Sequence, residues 1–188
     1  IKYSKAANKN KPRFWNDSDF NGFNQPVVGV SWQEAQSYCK AQGGRLPTEA
    51  EWEKASRGKR SINYPWGDEM PDNDKLNFNN ELNKAAPVGS YEAGKSDYGV
   101  YDLSGNVAEW TYDWHFAEFY LFSPKANPIG PTKGHYKVIR GGNWRSKLEE
   151  GSMTYRNATV PTTRSNTLGF RCAQSYGSTK PTEYLLPE

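Results

Sequence analysis

Cysteine, histidine and methionine are scarce in this chain, with two of each in 188 residues. The histidines, His115 and His135, have no Glu or Cys at the spacing that makes a zinc pair. No run of about 20 apolar residues occurs, so nothing reads as a membrane-spanning helix, and the first residues carry no apolar signal core. Charge of one sign is also in short supply. The net charge is +3, and Lys2, Lys5, Lys9, Lys11 and Arg13 gather at one end, away from any groove interleaved with aromatics, so nucleic acid is not an expected partner. A nucleophile elbow, a phosphate loop and a Ser-His-Asp order are all missing.

Aromatic residues and turn formers are abundant: 14% of the chain is aromatic, with 7 Trp and 12 Tyr beside 17 Gly and 12 Pro. Such a mixture describes a loop-rich fold pinned by large side chains whose polar tips still find partners. The length suits one domain with one sizeable core. Residues 1–25 read as an irregular polar lead-in anchored by Phe14, Trp15, Phe20 and Phe23, residues 26–175 as the domain, and 176–188 as a tail. Pro26 to Val30 is an apolar run that suits a buried strand. Ser31 with Glu34, and Thr48 with Glu51, each have the spacing of a capping box, in which two side chains satisfy the free amides of a helix's first turn. Helices are therefore expected from about Trp32 to Gln42, stopping at Gly43-Gly44, and from Glu49 to Arg57, stopping at Gly58. The rest reads as loops and short strands, among them Val107 to Trp114, Tyr136 to Arg140 and Gly169 to Ala173, which makes an α+β pattern with helices first and strands later.

Several segments in fixed order resemble the formylglycine-generating-enzyme, or sulfatase-modifying factor, family. They are PVVGVSWQEAQSYC from Pro26 to Cys39, GGRLPTEAEWEKASRG from Gly43 to Gly58, YPWGD from Tyr64 to Asp68, YGVYDLSGNVAEWTYDW from Tyr98 to Trp114, VIRGGNW from Val138 to Trp144 and GFRCA from Gly169 to Ala173. The resemblance implies a variant of the C-type-lectin fold with low regular secondary structure. It also implies a disulfide between Cys39 and Cys172, where spacing alone reads equally as two buried thiols. Such a bond would be worth on the order of 4 kcal/mol and would imply an extracytoplasmic location, whether periplasmic, cell-surface or secreted. Nothing before Pro26 resembles the family's first strands, with their Met-Gly turn and Val-Thr-Asn motif. Either another chain supplies them, as in a subunit of a larger envelope assembly, or the form is shortened.

Asp102 and Glu109 are seven apart with Gly105 and Asn106 between them, so carboxylates and exposed carbonyls can fold onto one hard cation. Turn-capping by Asp102 and Asn106, with Glu109 paired to a Lys or Arg, is the alternative that the residues alone support. By resemblance, Asp102, Gly105, Val107 and Glu109 match calcium ligands, the middle two through their carbonyls. Asn77 matches part of a second site whose other ligands fall in a stretch that is short here. Family enzymes hold copper on a thiolate pair, because soft thiolates select Cu(I). Those positions fall on Ser146 and near Ser152, and a further cysteine and its disulfide partner match Asn157 and Ser56, so copper is not expected. Ala108 and Asn143 replace cleft residues of the enzymes. The resemblance therefore implies a non-catalytic, calcium-binding module. Its Trp144 to Ser165 segment, with Asn143, Trp144, Arg145, Ser152, Tyr155 and Arg156, would meet a protein or glycan partner. The alternative is an oxidoreductase with a non-thiolate metal site, which would have to use His115, Glu149, Glu150 or Tyr155.

Overall fold

The computed structural model describes residues 11–175 and 182–184. Both capping boxes form. Ser31 Oγ accepts from the Glu34 amide at 3.3 Å while Glu34 Oε2 accepts from the Ser31 amide at 2.8 Å. They start helix α1 (Trp32–Ala41), whose C-cap is Gln42. Thr48 and Glu51 repeat the exchange at 3.1 and 2.9 Å to start α2 (Glu49–Arg57), and Gly58 caps its end. Each such cap stabilises its helix by about 1 kcal/mol.

The strands follow: β1 (Ala108–Trp114), β2 (Pro128–Pro131), β3 (Lys137–Arg140), β4 (Asn157–Thr159), β5 (Leu168–Phe170) and β6 (Thr182–Tyr184), with a short helix α3 (Phe119–Phe122) between β1 and β2. Four of them form a mixed sheet in the order β4-β3-β1-β5, antiparallel except where β5 runs parallel to β1. β2 and β6 pair separately. The strand expected over residues 26–30 is absent. Val28 and Val30 are buried as anticipated, but Gly29 sits at φ +73°, a left-handed conformation that interrupts an extended run. Its amide and carbonyl bond instead to Ser165 and Arg13.

Trp110 on the central strand is fully buried among Val30, Ala35, Tyr38, Leu46 and Leu168, and its indole N–H donates to the Val30 carbonyl at 3.0 Å. α1 thus packs across β1 and β5, and the Cys39–Cys172 disulfide ties that helix to the segment after β5. A second cluster joins Trp52 of α2 to Leu103 and Met153. Phe14 and Phe20 from the lead-in pack on a third, around Val28, Val107 and Trp144. Phe23, expected as an anchor, is 89% exposed and anchors nothing.

A candidate cation site and the face beside it

The loop from Asp102 to Glu109 leads into β1 through three positive-φ residues, Asp102 (55°), Gly105 (74°) and Asn106 (59°). Gly105 is required there, since a Cβ at this position would lie 2.5 Å from the Asn77 carbonyl oxygen. The buried Asn106 fixes the loop, with its Oδ1 accepting from the Ala86 amide at 2.8 Å and its own amide donating to the Asn77 carbonyl at 2.8 Å.

Asp102, Val107 and Glu109 line one cavity of about 520 Å³, while Gly105 and Asn77 lie outside its lining. Asp102 Oδ2 accepts from the Gly89 amide at 2.8 Å. Burial pushes the Asp102 carboxyl up; the Gly89 amide and Arg171 oppose this and the Glu109 charge adds to it. Among the described residues no hydrogen bond reaches the Gly105 or Val107 carbonyl.

Glu109 already has a cation. Arg171, just after β5, donates Nε to Oε2 at 2.5 Å and Nη2 to Oε1 at 2.6 Å, and the same Nη2 reaches the Asp102 carbonyl at 3.2 Å. Trp52 Nε1 also donates to Glu109 Oε2 at 2.8 Å. The donor set of two carboxylates and free carbonyls is all hard oxygen, which suits calcium. One guanidinium against two carboxylates also leaves the cavity one positive charge short of neutral. Asp102, Glu109 and the Val107 carbonyl are the oxygen donors in this cavity that could hold a calcium ion, with Glu109 shared with Arg171. Asn77, buried at 1% exposure, donates Nδ2 to the Lys84 carbonyl at 2.8 Å. Its carboxamide oxygen is buried with no donor among the described residues.

The expected ligand face is brought together only in part. Asn143, Arg145, Ser146, Glu150, Tyr155 and Asn157 line a cleft of about 130 Å³. Asn143 and Ser146 close a tight turn at its edge, the Asn143 amide donating to Ser146 Oγ at 3.1 Å. Trp144 does not belong to this face: at 1% exposure its ring is buried by Val28, Ala85 and Val107, and Arg145 stacks over it at 4.3 Å. Arg156 turns away as well, gripping Glu49 with Nε at 2.8 Å and Nη2 at 2.9 Å. Ser152 is outside the cleft and lies 3.4 Å from Thr154 Oγ1. Ser56 is buried, its hydroxyl donating to the Trp52 carbonyl at 2.8 Å. His115 is half-buried, and burial followed by the Arg156 charge lowers its pKa.

An interior charge cluster had no local signal in the sequence. Arg140, fully buried, donates to Glu49 Oε1 at 2.6 Å, so Glu49 holds two guanidinium groups across 91 and 107 residues of chain. Burial alone would raise the Glu49 carboxyl, but Arg156 and Arg140 reverse this and hold it low. Beside it, Asp113 accepts from the Glu49 amide at 2.7 Å and is pushed up to about 7, chiefly by burial. Burial brings Lys137 down to about 7; its Nζ lies 3.9 Å from the Trp32 ring centre and 4.0 Å from that of Trp114.

Residues 2–176 match the model for a sulfatase-modifying factor enzyme 1-like domain. The chain belongs to the sulfatase-modifying factor family. It is 45% identical over 153 residues to a serine/threonine-protein kinase of Chlamydia trachomatis, covering 79% of this chain and 24% of the kinase. It is 38% identical over 174 residues to the formylglycine-generating enzyme of Streptomyces coelicolor, covering 83% of this chain and 55% of that enzyme. This family member therefore spans between a quarter and a little over half of those relatives. The PvdO protein of Pseudomonas aeruginosa superposes with a TM-score of 0.68 at 26% identity, over 79% of this chain and 61% of that one. The α+β fold of this family domain is the C-type-lectin-like variant found in such neighbours.

Proposed function

We propose that this sulfatase-modifying factor domain is a non-catalytic module, stabilised by one calcium ion, that presents the cleft around Asn143, Arg145, Ser146 and Tyr155 to a protein or glycan partner outside the cytoplasm. One observation carries the reading. The chain has two cysteines, and both are in the Cys39–Cys172 disulfide, so no thiol remains to hold Cu(I). At the positions where the family's copper ligands are expected, Ser146 supports a turn and Ser152 faces Thr154. The disulfide itself supports an oxidising location. Asp102 and Glu109, with the carbonyls of Val107 and Gly105, would hold calcium, whose contribution is structural: it binds the folded loop and not the unfolded chain.

Elemental analysis of protein dialysed without chelator tests this. About one calcium per chain with no copper or iron is expected. Stoichiometric copper or iron would point to the oxidoreductase reading and end the non-catalytic one.

A further inference from the structure

Helix α3 is one turn long and divides its residues sharply: Phe119 is 2% exposed, whereas Tyr120, Leu121 and Phe122 are 42%, 77% and 54% exposed. Leu121 and Phe122 stand in solvent, while the half-exposed Tyr120 lies under the Arg156 guanidinium, 5.1 Å from its ring centre. Tyr120 also forms one wall of a separate cleft of about 390 Å³, whose other walls come from the last turn of α2 and its exit: Glu53, Lys54, Arg57, Lys59 and Arg60. Four cations thus fall within seven residues of chain. Arg57 pairs with Glu53 and Arg60 with Asp97, while Lys54 and Lys59 are exposed and have no ion pair among the described residues. The Arg57 Nε, buried in the cleft wall, has no acceptor among the described residues. Past α3, Lys125 is exposed and has no ion pair among the described residues; Glu118 is the one exposed acid next to the turn.

We propose that this patch docks the protein onto an anionic phospholipid surface. Leu121 and Phe122 would enter the acyl boundary, Tyr120 would sit at headgroup level, and the cleft beside it would take a headgroup phosphate between Lys54, Arg57 and Lys59. Charge complementarity favours a bilayer over other occupants: the apolar turn is flanked by cations on both sides, the pattern by which interfacial segments combine apolar insertion with attraction to anionic lipid. The cleft is open to solvent, and Lys54, Arg57 and Lys59 line it beside Tyr120, next to the inserted turn.

Co-sedimentation with unilamellar vesicles in chelator, which removes bridging by calcium, tests this. The wild-type chain is expected to pellet with mixed phosphatidylserine–phosphatidylcholine vesicles, to stay in solution with phosphatidylcholine alone, and to be released by added salt. Leu121→Glu/Phe122→Glu and Lys54→Glu/Lys59→Glu are each expected to lower partitioning by about ten-fold or more. All four positions are exposed, so unchanged melting temperatures show that folding is intact. Wild-type protein that stays in solution with anionic vesicles, or variants that pellet like wild type, would overturn the proposal. So would binding of a soluble acidic peptide without binding of vesicles.

Discussion

Arg171 holds Glu109 through two parallel hydrogen bonds, at 2.5 and 2.6 Å, across the seam where β5 runs parallel to β1. Glu109 is 6% exposed and Arg171 26%, so removing either partner strands a charge close to the core. Arg171→Gln is expected to cost the calcium-free protein about 2–3 kcal/mol, below the full range for a buried pair because Arg171 is partly solvated. The same change leaves Asp102 and Glu109 with no competing cation. Calcium should therefore bind the variant more tightly than wild type and restore part of the lost stability, as urea unfolding with and without calcium would show.

The Glu49 cluster has a larger expected cost. Arg140 is fully buried and its Nη1 has Glu49 as its carboxylate partner. Glu49→Gln should destabilise by about 3–5 kcal/mol, since the buried Arg140 keeps only Glu53 at 3.1 Å and Arg156 loses its carboxylate. Urea midpoints measure this, and a loss under about 1 kcal/mol would mean that Glu53 and the carbonyls carry Arg140 unaided.

Asp113 and Lys137 give opposite pH limbs. The Asp113 carboxyl is raised to about 7 by burial, so the folded state holds a proton that the unfolded state releases. Its favourable contribution is fully present below the ordinary carboxylate range and is lost as pH rises through about 7. Lys137 is lowered to about 7, so its contribution is present above the ordinary lysine range and is lost as pH falls through about 7. Asp113→Asn should flatten the decline in melting temperature between mildly acidic and neutral pH, and Lys137→Met the rise above neutrality. Identical pH profiles for wild type and both variants would contradict this.

The disulfide closes a loop of 133 residues. Cys39→Ala/Cys172→Ala should lower stability by about 4–5 kcal/mol in the chain-entropy view. Ala fits the fully buried Cys39 site sterically, so a loss much larger than this would point to a packing role instead.

Both main helices were legible because their signals are local: a capping box starts each, and a glycine at or just past its end stops it within a dozen residues. The family segments singled out the loop from Asp102 to Glu109, where Asp102, Val107 and Glu109 share a cavity that Gly105 and Asn77 do not line. The strand at residues 26–30 failed on one backbone angle, that of Gly29, which apolar composition does not encode. Trp144 was expected on a ligand face because it lies in a polar stretch; Val28, Ala85 and Val107, distant in sequence, bury it. The pairing of Glu109 with Arg171 spans 62 residues and has no periodicity to announce it. The α3 turn has too few residues to show a helical repeat, and β4 is only three residues long.

Calorimetric titration of calcium into chelator-stripped protein is the most direct measurement of the central claim. Wild type is expected to bind with about one-to-one stoichiometry and Asp102→Ala to lose that binding, while saturating calcium at about 100 times Kd adds about 2.7 kcal/mol to wild-type stability alone. No heat from wild type, or equal binding by Asp102→Ala, would show that Arg171 is the only cation this loop was built to hold.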